Sequence, residues 1–384
     1  MRGSVRRRGA GWEYLYRELD PVTGKATRLR SKAGFKTRAE AETALRAVLS
    51  AMDGGHYVSP TGLTLREFVE GMWLPAIVPT IRSSTHYSYA RNMRLHVLPT
   101  LGGWLLQSLD PSAINRMYAE LLRSGRRDGT PAGLSPRSVR YVHCILHRAL
   151  KDAVRWQLLS RNVADLADPP RQSAVLRPEV QTWTGSTVAE FLTLSRGDRL
   201  LAAWLLLATT GMRRGEVLGL RWADVDFALR KLAVRQTLIA VAHEPEFGSP
   251  KTAKGRRVVA LDTGTLAALR AHRALQSGER LAMGEGWSDY GLVFTYADGR
   301  AIHPERFSRE FARRVERFGL PHIRLHDLRH TWATLALEAG VHPKVVSERL
   351  GHANISITLD TYSHVSPVMH ADAADLVAGL VLPP

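Results

Sequence analysis

The chain has 384 residues, 45% of them hydrophobic, and carries 53 Lys+Arg against 36 Asp+Glu for a formal charge of +17. That length and apolar content provide two or three domains with real cores and exclude a disordered or fibrous chain. Cys144, the single cysteine, excludes an intramolecular disulfide and points to a reducing, cytoplasmic setting.

The basic excess is uneven: +6 over residues 1–58, +7 over 59–175 and +4 over 176–384. A positive field spread over two consecutive modules neutralises phosphates and releases their counterions, so nucleic acid leads the list of partners; a merely basic protein is the plain alternative. MRGSVRRRGAGW opens the chain with charge but no apolar stretch follows, unlike a signal peptide. WEYLYREL alternates apolar and charged residues from Trp12 to Leu19, DPVTGK supplies a turn, and ATRLRS returns as a second strand. Thr37 then caps RAEAETALRAVLSAM, whose Ala41, Leu45 and Val48 share a helical face. Residues 1–58 therefore form a small α+β module. Arg6, Arg7 and Arg8, ahead of it, suit a flexible arm on a DNA backbone or in a groove; a solvated basic tail is the alternative.

GGHYVSPTGLT, residues 54–64, is a turn-rich linker. Four amphipathic segments follow, LREFVEGMWLPAIV, SSTHYSYARNMRLHVLPTLG, DPSAINRMYAELLRSG and SPRSVRYVHCILHRALKDAVRWQLL, with cap residues at their starts and Gly or Pro near their ends. They define an all-α domain over 62–170, and the last segment sets Arg137, Arg140, Arg148, Lys151 and Arg155 beside an apolar stripe as a basic face, of which Arg137, Arg140, Arg148 and Lys151 are the expected DNA-binding residues. A second linker spans 167–185. Beyond it the pattern is mixed: LLAAWLLLA, from Leu200 to Ala208, is about half the length of a membrane span and reads as a buried helix, so no membrane partner is expected. KLAVRQT and RRVVAL read as strands about a turn at TAKG, and helices resume with GTLAALRAHRAL, PERFSREFARRVERF, LHDLRHTWATLALEAG and PKVVSERLG.

RLHDLRHTWATLALEAG supports two incompatible constellations. His326, Asp327 and His330 imitate the H-E-x-x-H zinc motif, but Asp replaces the longer Glu base and no third ligand follows. His326 and Arg329, at i and i+3, instead set a proton-handling imidazole beside a fixed cation that clamps phosphate oxygens. Phosphoryl transfer develops further negative charge and calls for a second cation. TTGMRRGEVLGLRW supplies it, with Gly211 closing the buried helix, Arg213 opening the next and Glu216 on the same side.

TGMRRGEVLGLRW, PKTAKGRRVVAL, LHDLRHTWATLALEAGV and LGHANISITLDTYSHV, in that order, resemble the blocks of the tyrosine recombinases, or phage integrases. The resemblance implies a DNA breaking-rejoining fold: a mainly α catalytic domain with a small antiparallel sheet over 180–366, the helical module as core-binding domain and residues 1–58 as arm-type DNA-binding domain. It implies that Arg213 and Arg329 hold the scissile phosphate, that Lys251, on the first strand of the hairpin, protonates the departing 5′ oxygen, that His326 takes the tyrosine proton, that His352 stands where the family has His or Trp, and that Glu216 organises the site. Tyr362, by itself an ordinary packing residue, becomes the nucleophile; His364 beside it receives no role.

The implied reaction cleaves and rejoins DNA through a 3′-phosphotyrosine and a Holliday junction, integrating or excising a mobile element. Because the phosphotyrosine ester retains the energy of the phosphodiester, neither cofactor nor metal is implied. The implied partners are double-stranded attachment sites and a homotetramer, with an excisionase or host DNA-bending factor as an optional addition. Residues 367–384 form a tail that packs either on its own domain or on a neighbouring protomer. Two other readings stay open, a type IB topoisomerase and a DNA-binding regulator that keeps the fold without activity.

Overall fold

The computed structural model describes residues 3–19, 26–54, 57–171, 181–250 and 253–352, together with 354–356, 358, 359 and 378. The chain divides into two compact units, Met1–Leu176 and Arg177–Pro384.

The first unit opens with three antiparallel strands, β1 (Gly3–Arg8), β2 (Gly11–Leu19) and β3 (Ala26–Phe35), in spatial order β1-β2-β3. The flexible arm expected at Arg6, Arg7 and Arg8 is instead this edge strand. Its register sets Arg6 opposite Glu13, and the Glu13 carboxylate accepts from Arg6 Nε at 2.5 Å and from Arg8 Nη1 at 3.0 Å. Burial pushes the Glu13 carboxyl up less than the Arg6 hydrogen bond, with help from Arg8, holds it down, so it stays below the usual carboxylate range. An acidic residue on the central strand thus neutralises the charge repulsion that keeps a basic tail solvated. Tyr14 and Tyr16 turn to the other face and pack with Leu45 of α1 (Arg38–Asp53). Thr37 caps α1 in a reciprocal box with Glu40, as its sequence position predicts.

The helical module begins with α2 (Leu65–Glu67), which runs through a π-helical stretch, Phe68–Trp73, into α3 (Leu74–Ile77); α4 (Ser83–Asn92) likewise runs through Met93–Val97 into α5 (Leu98–Leu101). Both widened turns precede a proline, Pro75 and Pro99. A helical proline lacks an N–H and collides with the carbonyl four residues back. The helix answers by widening to i−5 bonding, which includes Leu74 N to Val69 O and Leu98 N to Met93 O, and continues. Two longer helices, α6 (Pro111–Ser124) and α7 (Pro136–Arg155), complete the module. α7 buries Val139, Val142, Ile145, Leu146, Ala149 and Leu150 in a core that includes Phe68, Trp73 and Ile114.

The second unit is built around α9 (Leu201–Thr210), preceded by α8 (Gly185–Leu194). α9 is apolar on every side, the pattern of a helix enclosed by others, and the buried helix expected over 200–208 is this one. Trp204 stacks on Phe307 with ring centroids 4.5 Å apart, inside an aromatic cluster that includes Phe191 and Phe311. After α10 (Arg214–Leu218) come β4 (Val225–Asp226), β5 (Lys231–Val234), β6 (Thr237–Val241), β7 (Glu244–Gly248) and β8 (Arg257–Ala260). β5 and β8 pair antiparallel, as the two sequence strands predict, in a sheet ordered β4-β5-β8. They are not joined by one turn at TAKG, however. A separate hairpin, β6–β7, intervenes, and Gly215 and Gly219 of the α10 segment leave room for its backbone at Thr237 and Leu238. The remaining helices are α11 (Thr263–Met283), α12 (Pro304–Arg317), α13 (Asp327–Glu338) and α14 (Pro343–Leu350). Among the described residues no helix is long and apolar enough to cross a membrane.

In the first unit the most exacting polar contact is Trp73 Nε1 donating to Asp152 Oδ2 of α7 at 2.9 Å, deep in the helical core. Asp152→Ala strands that indole N–H and should lower stability by about 1–3 kcal/mol in urea unfolding of the full chain. Arg155→Ala removes only the exposed ion partner of Asp152 and should cost about 0–1 kcal/mol.

Candidate active site

Two helix C-termini meet at the centre of the second unit. α9 ends on Gly211 at φ +64° and α14 on Gly351 at φ +66°, left-handed conformations that glycine adopts without strain. Contact enforces the same choice at Gly211, where a Cβ would lie 2.7 Å from Leu350 Cδ2 and 2.9 Å from the Trp332 ring. Such termini expose carbonyls at the negative end of the helix dipole, where a cation is stabilised. Arg329, buried on α13, fills that role: Nη1 donates to Gly211 O at 2.8 Å and Nη2 to Leu350 O at 2.6 Å.

Arg213 sits immediately before α10. Its backbone N–H donates to Glu216 Oε2 at 2.9 Å and its Nη1 to Glu216 Oε1 at 2.8 Å, while Nη2 lies 3.5 Å from Gly351 O. The Glu216 side chain is 1% exposed and the Arg213 side chain 40%, so the carboxylate anchors from within a guanidinium that reaches outward. On its other side Glu216 receives a fork from Arg257 of β8, Nη1 to Oε1 at 3.0 Å and Nη2 to Oε2 at 2.9 Å. Burial pushes the Glu216 carboxyl up, but the Arg257 hydrogen bonds and charge, together with Arg213, hold it below the usual carboxylate range.

His326 stands at the N-cap of α13, with its carbonyl accepting from Arg329 N–H at 3.1 Å. Desolvation first, then the charges of His330, Arg329 and Arg213, press its pKa down to about 4. The residue nevertheless keeps an exposed outer surface, so crowding acts from the protein side while solvent reaches the other. His352 follows the C-cap of α14; Nδ1 lies 2.8 Å from the buried Thr358 Oγ1, and desolvation with Arg329 and Arg213 brings this ring to about 4 as well. Both imidazoles are therefore neutral at physiological pH. The zinc-like set does not assemble: buried Asp327 turns to Arg324, accepting at 3.0 and 3.1 Å, and His330 meets His326 ring edge to face with centroids 5.2 Å apart. Among the described residues no three His, Cys, Asp or Glu side chains group as metal ligands.

The expected site residues Arg213, Glu216, His326, Arg329 and His352 thus converge, the same two arginines acting on both histidines. Lys251 and Tyr362 lie outside the described residues, as do most of the tail 367–384 and residues 172–180 of the second linker. Arg257 went unrecognised in the sequence, hidden within GRRVVAL; the signal was strand alternation, which sends Arg257 and Val259 inward and leaves Arg256 and Val258 outward. In the first unit Arg137, Arg148, Lys151 and Arg155 fall on one stripe of α7. Arg137 and Lys151 are exposed, Arg148 lies over the Tyr89 ring at 5.5 Å, and Arg140 donates to Pro170 O at 3.0 Å.

The phage integrase family model matches residues 187–368, and the model of the phage integrase N-terminal SAM-like domain matches 64–122. A tyrosine recombinase XerC-like protein of Caldanaerobacter subterraneus subsp. tengcongensis is 29% identical over 371 residues, 92% of this chain and 93% of the relative. Among solved structures, the Tn1549 transposon integrase in complex with transposon right end DNA superposes with a TM-score of 0.66 at 21% identity, covering 82% of this chain and all of that one. A lambda integrase tetramer bound to a Holliday junction superposes at 0.55 and 18% identity over 92% of this chain and 94% of its counterpart. The chain belongs to the phage integrase family, the tyrosine recombinases, enzymes of site-specific DNA cleavage and rejoining.

The two depressed histidines carry a stability consequence. Their folded pKa values, about 4, lie below the 6.5 of a free imidazole, so below about pH 6.5 the unfolded chain binds protons that the folded one excludes. Stability should be unaffected by these groups above pH 6.5 and decline as pH falls towards 4. Thermal midpoints across that range should show the decline, and a His326→Gln/His352→Gln variant should show a shallower one.

Proposed function

We propose that this recombinase cleaves one DNA strand by attack of Tyr362 on a phosphate held by Arg213 and Arg329, releases a 5′ hydroxyl and rejoins strands by reversing the step on a partner duplex. The observation that supports this most strongly is the convergence of two guanidinium groups with two neutral imidazoles. A phosphodiester carries one negative charge, and its pentacoordinate transition state carries more on the non-bridging oxygens. Arg329 is held from behind by the two helix carbonyls and Arg213 by Glu216, so both cations meet that charge without reorganising.

A phenol of pKa about 10 requires a base and neighbouring cations to attack at neutral pH. His326, neutral and beside Arg329, is suited to accept the proton. His352, tied by Nδ1 to Thr358, keeps Nε2 for a phosphate oxygen. The leaving 5′ oxygen needs a proton as the P–O bond breaks; Lys251 is the assigned donor, a role that contributes about 100- to 10,000-fold. In the first unit the basic outer face of the sheet, with Arg6 and Arg8, and the α7 stripe with Arg137, Arg148 and Lys151 are assigned to DNA, as arm-type and core-binding domains respectively. The assembly is a homotetramer on two attachment sites resolving through a Holliday junction, integrating or excising a mobile element, with an excisionase or host DNA-bending factor as an optional addition. The tail 367–384 is assigned either to its own domain or to a neighbouring protomer. The compartment is the cytoplasm.

Incubation with a nicked duplex carrying the junction sequence of the encoding element should give a covalent 3′-phosphotyrosyl adduct. Tyr362→Phe should abolish it, and an adduct that survives that substitution overturns the reading. Lys251→Ala should slow cleavage about 100-fold or more while binding the duplex with near wild-type affinity. If six to ten phosphates are contacted, affinity should fall about 10³- to 10⁵-fold between 50 and 200 mM salt; a flat response removes the role given to the N-terminal charge.

A further inference from the structure

Arg257 has no part in the chemistry described above, yet it is the most enclosed cation around Glu216, with its side chain 7% exposed. All three of its nitrogens are committed: Nη1 and Nη2 to the two oxygens of Glu216, Nε to Arg349 O at 2.6 Å, and Nη1 also to Gly255 O at 3.3 Å. These bonds join β8, the turn before it, the start of α10 and the last turn of α14. Arg213 therefore leaves one end of this cluster, and His352 follows α14 at another. We propose that Arg257 is a positioning residue for strand cleavage: by locking Glu216 and the α14 terminus together, it aims Arg213 and the His352 segment at the scissile phosphate.

A buried ion pair is a poor device for stability alone, since apolar residues of similar size commonly replace such pairs without loss. What it supplies is direction. A planar fork on both oxygens of Glu216 leaves that carboxylate one orientation, and Glu216 Oε1 is the atom that also accepts from Arg213 Nη1. Arg213 is otherwise 40% exposed and would sample several rotamers. A displacement of about 1 Å at a reacting group costs on the order of 100-fold in rate.

This inference rests on the role proposed for Arg213, and one experiment separates the two. The full-length chain, Arg257→Lys, Glu216→Gln, the pair of both, and an apolar Arg257→Met/Glu216→Leu replacement are compared for duplex binding and for single-turnover cleavage of the nicked duplex. Arg257→Lys should bind DNA within about 2-fold of wild type and cleave about 10- to 100-fold more slowly. Combined with Glu216→Gln it should be no slower than the slower single variant, because both act through Arg213. The apolar pair should fold and bind yet cleave as poorly. Wild-type cleavage by Arg257→Lys, recovery of activity in the folded apolar pair, or independent multiplication of the two single effects each overturns the inference. A wild-type chain that forms no adduct overturns the functional reading and this inference with it.

Discussion

A carboxylate closed off from water, Glu216, held between Arg213 and Arg257, is the constraint on which the catalytic unit depends. An unpaired buried charge would be prohibitively costly, so the three side chains must arrive together or not at all. Their arrival requires β8 to lie against the start of α10 and the end of α14, which fixes the sheet relative to the helices. The interaction that neutralises the buried acid is thus also the one that orients the exposed cation.

Arg329 applies similar logic to backbone. Two left-handed glycine caps leave carbonyls at converging helix ends, and one guanidinium satisfies a carbonyl from each. The negative ends of α9 and α14 make the cation tolerable in a buried place, while burial first, and then its charge with that of Arg213, keeps both histidines unprotonated. A neutral imidazole beside fixed cations follows from burial and charge. The same economy appears at Glu13, where an acid on a central strand converts a run of arginines into an ordered sheet edge.

The first unit illustrates where local pattern and real geometry part. Amphipathic periodicity locates all four helical segments, but it contains no sign that Pro75 and Pro99 are absorbed by widened turns instead of ending their helices. Phe68, Trp73, Met93 and Val97 of the widened turns are all buried in the core of the module, a tertiary setting that a linear pattern does not represent. The β6–β7 hairpin was missed for a related reason: its tip residues Ala242 and His243 take φ of +51° and +70° without the Gly or Asn that usually marks such a turn.

The sequence by itself determined the class of chemistry. Residue type and local helical spacing singled out Arg213, Glu216, His326 and Arg329, and the resemblance carried by motif order added His352. Helix periodicity and the cap at Thr37 were local as well. Only the tertiary structure decided which groups are buried and what faces them: that Asp327 pairs with Arg324 instead of joining a metal set, that Arg6 and Arg8 are bound to Glu13, and that Arg257 stands behind the site. Burial and through-space pairing depend on segments far apart in the chain; Arg257 and Glu216 are separated by 41 positions, a distance across which no local pattern extends.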